Sequence, residues 1–266
     1  MKSVVKFFFA VFVLIVGARA HDTWLQPEVF AATPGAALVL HLTSADGFNG
    51  PDAAIKPERV ERMWGRLGGA AVAVEAAGGD GGRTLRLATT LTRPGVAVLA
   101  VQLKPRLLEL APEKIEIYFR EIHAAPELRE VWAAVPEPRR WRESYVKCAK
   151  TFVRVGAPVA GDRSWAEPLG LPLELVPEND PTALRVGEKL SVRVLRGGAP
   201  LPGFVLAFVS AGETREHVVV TDWEGRAGAV LDVPGAWLVH GTDLRRSTAA
   251  EREWDSEFTT MVVEVR

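Results

Sequence analysis

The sequence predicts a mainly β protein with two β-sandwich domains and a short helical hairpin inserted in the first. Short apolar runs alternate with Gly and Pro turns over residues 22–103 and again over residues 171–265, a spacing typical of antiparallel strands. Helical periodicity replaces this pattern between residues 112 and 132. We expect an N-terminal sandwich at residues 21–168 and a C-terminal sandwich at residues 169–266, after a cleaved leader at residues 1–20.

The leader has the three parts of a secretory signal. Lys2 and Lys6 give a positive start, residues 7–16 are an unbroken apolar run, and Ala18-Arg19-Ala20 is a small-x-small cleavage site. This run of ten residues is too short to span a bilayer, which needs ~20 in helical form. We therefore expect a periplasmic protein without a stable membrane anchor after cleavage.

Cleavage after Ala20 would make His21 the first residue of the mature chain. A freed α-amine and the Nδ1 atom of the same histidine can close a six-membered chelate ring on one metal ion, which an internal histidine cannot do. Both kinds of group lose their protons near neutral pH. The other interpretation is that the residue after a signal cleavage site is arbitrary, and one residue does not decide between them.

In the first domain, Gly and Pro turns separate the predicted strands at regular intervals. Gly or Pro turns precede the predicted strands at residues 36–42, 70–76, 84–89 and 96–103. His41 lies between Leu40 and Leu42, so its side chain should point away from theirs. It is either a solvent-facing strand residue or a metal ligand on a polar face.

The predicted hairpin begins at Pro112, and its first helix carries apolar residues with helical spacing up to Ile122. A second short helix follows Pro126. His123 closes the first helix, where the helix dipole favours a histidine, although a helix end is also an accessible place for a ligand. Residues 141–156 fit either a helical face or, over residues 151–155, a strand.

The C-terminal domain contains seven predicted strands separated by turns. Roughly ~95 residues in seven strands is the size of an immunoglobulin-like sandwich. The strands are predicted at residues 171–176, 189–195, 204–210, 216–221, 227–232, 236–240 and 258–265. The turn sequences at residues 198–203, 221–225 and 234–237 resemble those of the transthyretin-like or carboxypeptidase-regulatory modules of exported proteins. Those modules usually have a binding or structural role and rarely catalyse a reaction.

Composition limits the partners and the chemistry. The net charge of −1 gives no basic surface for nucleic acid or anionic lipid. Cys148 is the single cysteine, so the chain has no internal disulfide, and we expect a buried, inert thiol. The sequence has no His-Glu-x-x-His, Gly-x-Ser-x-Gly or cysteine-pair motif.

Several motifs together are similar to a bacterial periplasmic family of unknown function that is often labelled a NikM-like nickel or cobalt uptake component. They are residues 21–27, 142–145 with 149–151, 170–177 and 254–256. The resemblance covers nearly the whole mature chain. It implies an exported two-domain β protein whose first mature residue is the metal ligand. Because no apolar segment ends the chain, we expect any transporter partner to be a separate polypeptide.

Solitary histidines are the candidates to complete a site with His21. Our predicted metal ligands are His21 with His240, His123 and His41, in that order of preference, for a transition metal ion such as Ni²⁺, Co²⁺ or Cu²⁺. The predicted function is a metal-binding protein that delivers its ion to an inner-membrane transporter and is not an enzyme. A histidine-brace copper enzyme and a metal-free scaffolding or adhesion module are the alternatives.

Overall fold

The computed structural model describes residues 21–79 and 82–266, and the predicted signal peptide at residues 1–20 lies outside them. The strands of the first half are β1 (Asp22–Pro27), β2 (Ala31–Ala32), β3 (Ala37–Ala45), β4 (Ala53–Ala54), β5 (Val60–Leu67), β6 (Ala70–Ala73), β7 (Glu75–Gly79), β8 (Leu85–Thr90), β9 (Gly95–Leu103) and β10 (Arg106–Leu110). Two helices follow, α1 (Ile115–Glu121) and α2 (Pro126–Ala133).

The second half contains strands only, apart from one short 3-10 turn at Ser164–Ala166. These strands are β11 (Trp141–Val155), β12 (Leu173–Pro177), β13 (Lys189–Arg196), β14 (Ala199–Pro200), β15 (Val205–Ser210), β16 (His217–Val220), β17 (Arg226–Val230), β18 (Gly235–Arg246) and β19 (Trp254–Val265). Two further 3-10 turns, Pro57–Arg59 and Pro112–Lys114, lie in the first half. No helix within residues 21–79 and 82–266 has the length and apolar character that a bilayer crossing requires.

The strands form three sheets that stack as layers. The N-terminal sheet has the order β1-β3-β8-β7, with β4 beside β3. The central sheet has the order β16-β15-β18-β19-β11-β9-β5-β6, with β2 and β10 also paired to β11. The C-terminal sheet has the order β12-β13-β14, with β17 beside β13. The predicted mainly β, sandwich-type fold is confirmed.

Strand β9 shows how the central sheet is covered on both faces. Ala97 and Leu99 pack into the core beneath the N-terminal sheet. Val96 and Val98 pack into the opposite core, against the C-terminal sheet. Because neither face meets water, β9 is a nearly continuous apolar run instead of an alternating one.

The two halves of the chain meet in the central sheet, where β11 pairs in parallel with the last strand, β19. The register aligns Lys147 with Phe258 and Thr151 with Val262. Residues 141–155 are therefore one long strand, which decides the helix-or-strand ambiguity of this segment. The boundary predicted at residue 168 falls between two halves that share one sheet.

The predicted helical hairpin is present and covers one end of the central sheet. Trp141 lies at its base and stacks on Trp254, with ring centroids 4.6 Å apart. Beside them the buried carboxylate of Glu143 accepts hydrogen bonds from Tyr118 of α1 at 2.6 Å, from Trp141 at 2.8 Å and from Ser256 of β19. Burial raises the pKa of Glu143, and these three donors oppose that shift. The polar bonds hold α1 against β11 and β19.

A buried ion pair joins the central sheet to the C-terminal sheet. Lys150 of β11 and Glu174 of β12 are 2% and 1% exposed. The Lys150 ammonium donates to the Glu174 carboxylate and, at 2.9 Å, to the carbonyl of Leu175. Glu174 also accepts from the backbone N–H groups of residues 169–171. Every polar atom of the pair is thus used.

Removing one partner of this pair should be strongly destabilising. We expect Lys150→Met to lower the free energy of unfolding by about 3–5 kcal/mol, because it leaves the Glu174 carboxylate buried without its counter-ion. Urea unfolding followed by tryptophan fluorescence measures the change.

A matched control is Arg266→Met, which removes the exposed pair between Arg266 and Glu264. This substitution should cost no more than about 1 kcal/mol. Equal losses for the two variants would show that the buried pair contributes nothing beyond an ordinary surface contact.

Candidate functional site

The candidate site is centred on His240, which β18 places beneath the start of β1. The imidazole is 9% exposed, and each of its nitrogens faces a different carboxylate. Nδ1 lies 3.1 Å from Oδ2 of Asp22, and Nε2 lies 3.3 Å from Oε1 of Glu216. A cavity of about 250 Å³ opens on these three residues.

The two carboxylates decide the charge of His240. Burial alone would lower the pKa of this imidazole, but Asp22 and Glu216 outweigh it and raise the pKa to about 10. The Nε2 contact has the distance of an ion pair without the alignment of a hydrogen bond. His240 is therefore an imidazolium at neutral pH, held between two anions.

His123 extends the cluster by binding the second oxygen of Glu216. Its Nε2 lies 2.7 Å from Oε2 of Glu216, and its ring centroid is 6.5 Å from that of His240. The hydrogen bond with His123, and after it the contact with His240, hold the pKa of Glu216 well below its ordinary range, although burial opposes the shift. Glu216 thus bridges the two imidazoles.

The backbone at His123 is arranged for this contact. His123 follows α1 with φ at +49°, and its N–H bonds the carbonyl of Arg120 while that of Ala124 bonds the carbonyl of Phe119. This is a Schellman cap, a position usually taken by glycine. The prediction that His123 closes the first helix is confirmed, and a side chain at this strained position reaches Glu216.

His21 lies on the other side of β1 from the His240 cluster. His21 is half-buried and, with Thr23, lines a separate cavity of about 550 Å³. The ammonium of Lys147 donates to the His21 carbonyl, and Thr260 donates to the carbonyl of Thr23 at 2.7 Å. Within residues 21–79 and 82–266, no hydrogen bond or ion pair is made by the His21 ring.

His41 is remote from the other histidines. It pairs across the sheet with Gln26, which is five residues, or roughly 16 Å, along β1 from His21. Its ring nitrogens contact Thr84 at 2.9 Å and Glu28 at 3.0 Å. The structure therefore brings His240 and His123 together and leaves His41 at the far end of β1.

Sequence reasoning missed three residues of this region: Asp22, Glu216 and Lys147. Asp22, and not His21, makes the contact to His240. Among the described residues no group of three or more His, Cys, Asp or Glu side chains is arranged to hold a metal ion, since the nitrogens of His240 diverge toward separate carboxylates. The assignment of the four histidines as metal ligands stays a prediction. The one sequence feature that could have pointed to Asp22 as a site residue is its position next to His21.

The fold and the site define a layered β protein with a charged cluster under its first described strand. The chain belongs to the family described as Domain of unknown function (DUF4198), whose model matches residues 18–242. No curated protein matches the chain.

Three solved structures are similar to the chain, all at low scores. The D0-D1 domain of intimin is 13% identical with a TM-score of 0.24, over 90% of this chain and 97% of that one. The adhesin InvE of Yersinia pseudotuberculosis is 12% identical with a TM-score of 0.25, over 90% and 58%. The Escherichia coli adhesin FdeC is 15% identical with a TM-score of 0.23, over 92% and 64%. Likenesses at this level do not bear on function.

The charge on His240 predicts a particular pH dependence of stability. Because its folded pKa of about 10 lies above the ordinary value of ~6.5, its contribution is complete below pH ~6.5 and is lost as pH rises toward 10. We expect His240→Gln to lower the free energy of unfolding by a few kcal/mol near pH 6, on the order of the cost of breaking one buried ion pair. The loss should become progressively smaller toward pH 10. Urea unfolding of metal-free protein across this range measures the difference.

The control is His41→Gln, which removes a partly exposed imidazole with one carboxylate neighbour. Its cost should stay within about 1 kcal/mol. A His240→Gln cost that is constant from pH 6 to pH 10 would contradict the imidazolium assignment.

Proposed function

We propose that this is an exported, periplasmic protein that binds a transition metal ion, Ni²⁺, Co²⁺ or Cu²⁺, through His21. The observation that supports it is the placement of His21 on the wall of a cavity, with its own carbonyl bound by Lys147. The next residue, Asp22, is fixed by His240. These contacts hold the backbone of residue 21 at the edge of the cavity.

The chemistry depends on removal of the leader after Ala20. The freed α-amine and Nδ1 of His21 would then form a bidentate donor for a borderline metal ion. Nitrogen donors of this kind suit Ni²⁺, Cu²⁺ and Co²⁺. Because the backbone of residue 21 is already fixed, binding would order few additional groups, which lowers the entropic cost of capture.

His240 and His123 are the proposed additional ligands, but they lie across β1 from His21. They could join it only if the start of β1 moved and both histidines gave up their carboxylate partners. Coordination by His240 would require loss of the proton on its coordinating nitrogen, Nδ1 facing Asp22 or Nε2 facing Glu216, so metal binding would compete with these ion pairs. His41 has no part in the proposed site because it lies at the far end of β1. Water or a second ligand in the cavity would complete the coordination.

A binding role is favoured over copper-dependent catalysis. A histidine brace needs a second imidazole facing the α-amine and ring of the first residue, and the carboxylate of Asp22 makes the contact to His240. The resemblance of residues 21–27 and 170–177 to NikM-like uptake components supports delivery of the ion to a separate inner-membrane transporter. A metal-free scaffolding role would be the conclusion if no metal copurified.

The chelate predicts that the free α-amine is required. For protein purified from the periplasm and beginning at His21, acetylation of the α-amine should weaken Ni²⁺ binding at least about tenfold, since one of two chelating donors is lost. His21→Ala should weaken it at least as much. Isothermal titration calorimetry in metal-depleted buffer measures both effects.

His41→Ala serves as the control. It should change the affinity for Ni²⁺ by no more than about twofold, well below the tenfold loss expected for the two chelate variants. Superimposable titrations of acetylated and unmodified protein would overturn the proposal. Metal identity is read separately, by elemental analysis of protein from its native periplasm, because affinity in solution favours copper at almost any nitrogen site.

A further inference from the structure

The cavity lined by His21 has mainly basic residues among its charged groups. Four basic side chains line it, from Lys56, Arg59, Arg106 and Lys147, against the single carboxylate of Glu58. Lys56 precedes the 3-10 turn that ends at Arg59, Arg106 begins β10, and Lys147 lies in the middle of β11. In a chain whose net charge is −1, this is a local concentration of positive charge. We call this cavity the basic cleft.

The four cations of the basic cleft make no close ion pair with the carboxylates of the described residues. In residues 21–79 and 82–266, no salt bridge within 4.0 Å is formed by any of the four. Other arginines of the chain are paired, as Arg154 is with Asp180 at 2.5 Å and Arg226 with Glu178 at 2.8 Å. The positive charge of the basic cleft is therefore not offset by a close ion pair.

Aromatic rings hold two of the cations in position. The guanidinium of Arg59 lies 5.9 Å from the ring centroid of Tyr145. The ammonium of Lys147 lies 5.7 Å from the same ring and 5.0 Å from that of Phe258. One proton of Lys147 is donated to the carbonyl of His21, and an ammonium has three. Two donors of Lys147 are thus available for a ligand.

The size of the basic cleft suits a small ligand. An anion bound there would lie close to both Lys147 and Arg59, which line the cavity. The volume of about 550 Å³ lies in the range of small-molecule sites, ~300–1,000 Å³.

We propose that the basic cleft binds a small oxyanion carrying two or more negative charges on carboxylate or phosphate groups. Guanidinium groups bind the paired oxygens of both kinds of group in bidentate fashion, and ammonium groups add point charges. Two or more anionic groups are required because the cations approach the cavity from different elements. The proposal does not depend on metal binding at His21.

The test uses metal-depleted mature protein with citrate, inorganic pyrophosphate and chloride as probes, measured by calorimetry at low ionic strength. We expect citrate or pyrophosphate to bind, and the comparison between them distinguishes a carboxylate from a phosphate ligand. Chloride at the same ionic strength should compete only weakly. Binding should weaken as salt is raised, since the interaction is largely electrostatic.

The decisive variant is the double substitution Arg59→Gln with Arg106→Gln, which removes two guanidinium groups from the cleft. It should weaken binding at least about tenfold, since two charge-assisted contacts are lost. Lys114→Gln, at an exposed position outside the cleft, should change it by less than about twofold. Circular dichroism and thermal unfolding establish that both variants are folded.

Two results would overturn the proposal: no heat of binding for either polyvalent anion, or equal weakening by the cleft and control substitutions. Neither result would affect metal binding at His21, which is measured with Ni²⁺ in the absence of these anions. Conversely, an acetylated α-amine that abolishes Ni²⁺ binding should leave citrate binding in place. The two proposals therefore fail separately.

Discussion

The parallel pairing of β11 with β19 is the constraint on which the rest of the structure depends. It inserts the last strand of the chain into the middle of the central sheet, next to a strand from the first half. Because β18 pairs with β19 along its whole length, the same contact brings His240 beneath β1. The charged cluster is therefore a consequence of topology: Asp22 and His240 are far apart in sequence and meet only when both halves have folded.

The register of β11 is fixed by ionisable residues that face different layers. Glu143 and Lys147 meet partners from α1, β19 and the start of β1, while Lys150 points to the opposite face and meets Glu174. A slip of one residue would exchange the two faces of the strand. It would leave these charges buried without partners, which costs several kcal/mol for each. The polar residues of β11 thus select one alignment where apolar packing alone would tolerate others.

Local signals predicted the elements better than their arrangement. Gly and Pro turns marked most strands, and proline with helical spacing marked both helices. The segment at 141–156 was ambiguous because Cys148, Ala149 and Phe152 recur with helical spacing. This spacing of apolar residues arises because the segment is a strand between two layers and is buried on both faces. His123 and His240 were identified as candidate site residues, but Asp22 and Glu216 were not. The roles of these two carboxylates arise from the packing of β1 over β18 and of α1 beside β16, and no local sequence pattern encodes that packing.

The two proposed sites constrain each other through charge. His21 lines the basic cleft together with four cations, and one positive charge about 8 Å from a divalent ion costs on the order of 1 kcal/mol even in water. A bare metal ion would therefore meet an unfavourable field at this position. An oxyanion in the cleft would reverse the sign of that field and would also offer oxygen ligands beside the nitrogens of His21. By linkage, the metal would then increase the affinity for the anion by the same factor. If His21 binds a metal as proposed, a cationic cavity beside it would favour capture of the metal as an anionic complex, in which the ligand carries the charge that the protein itself does not supply.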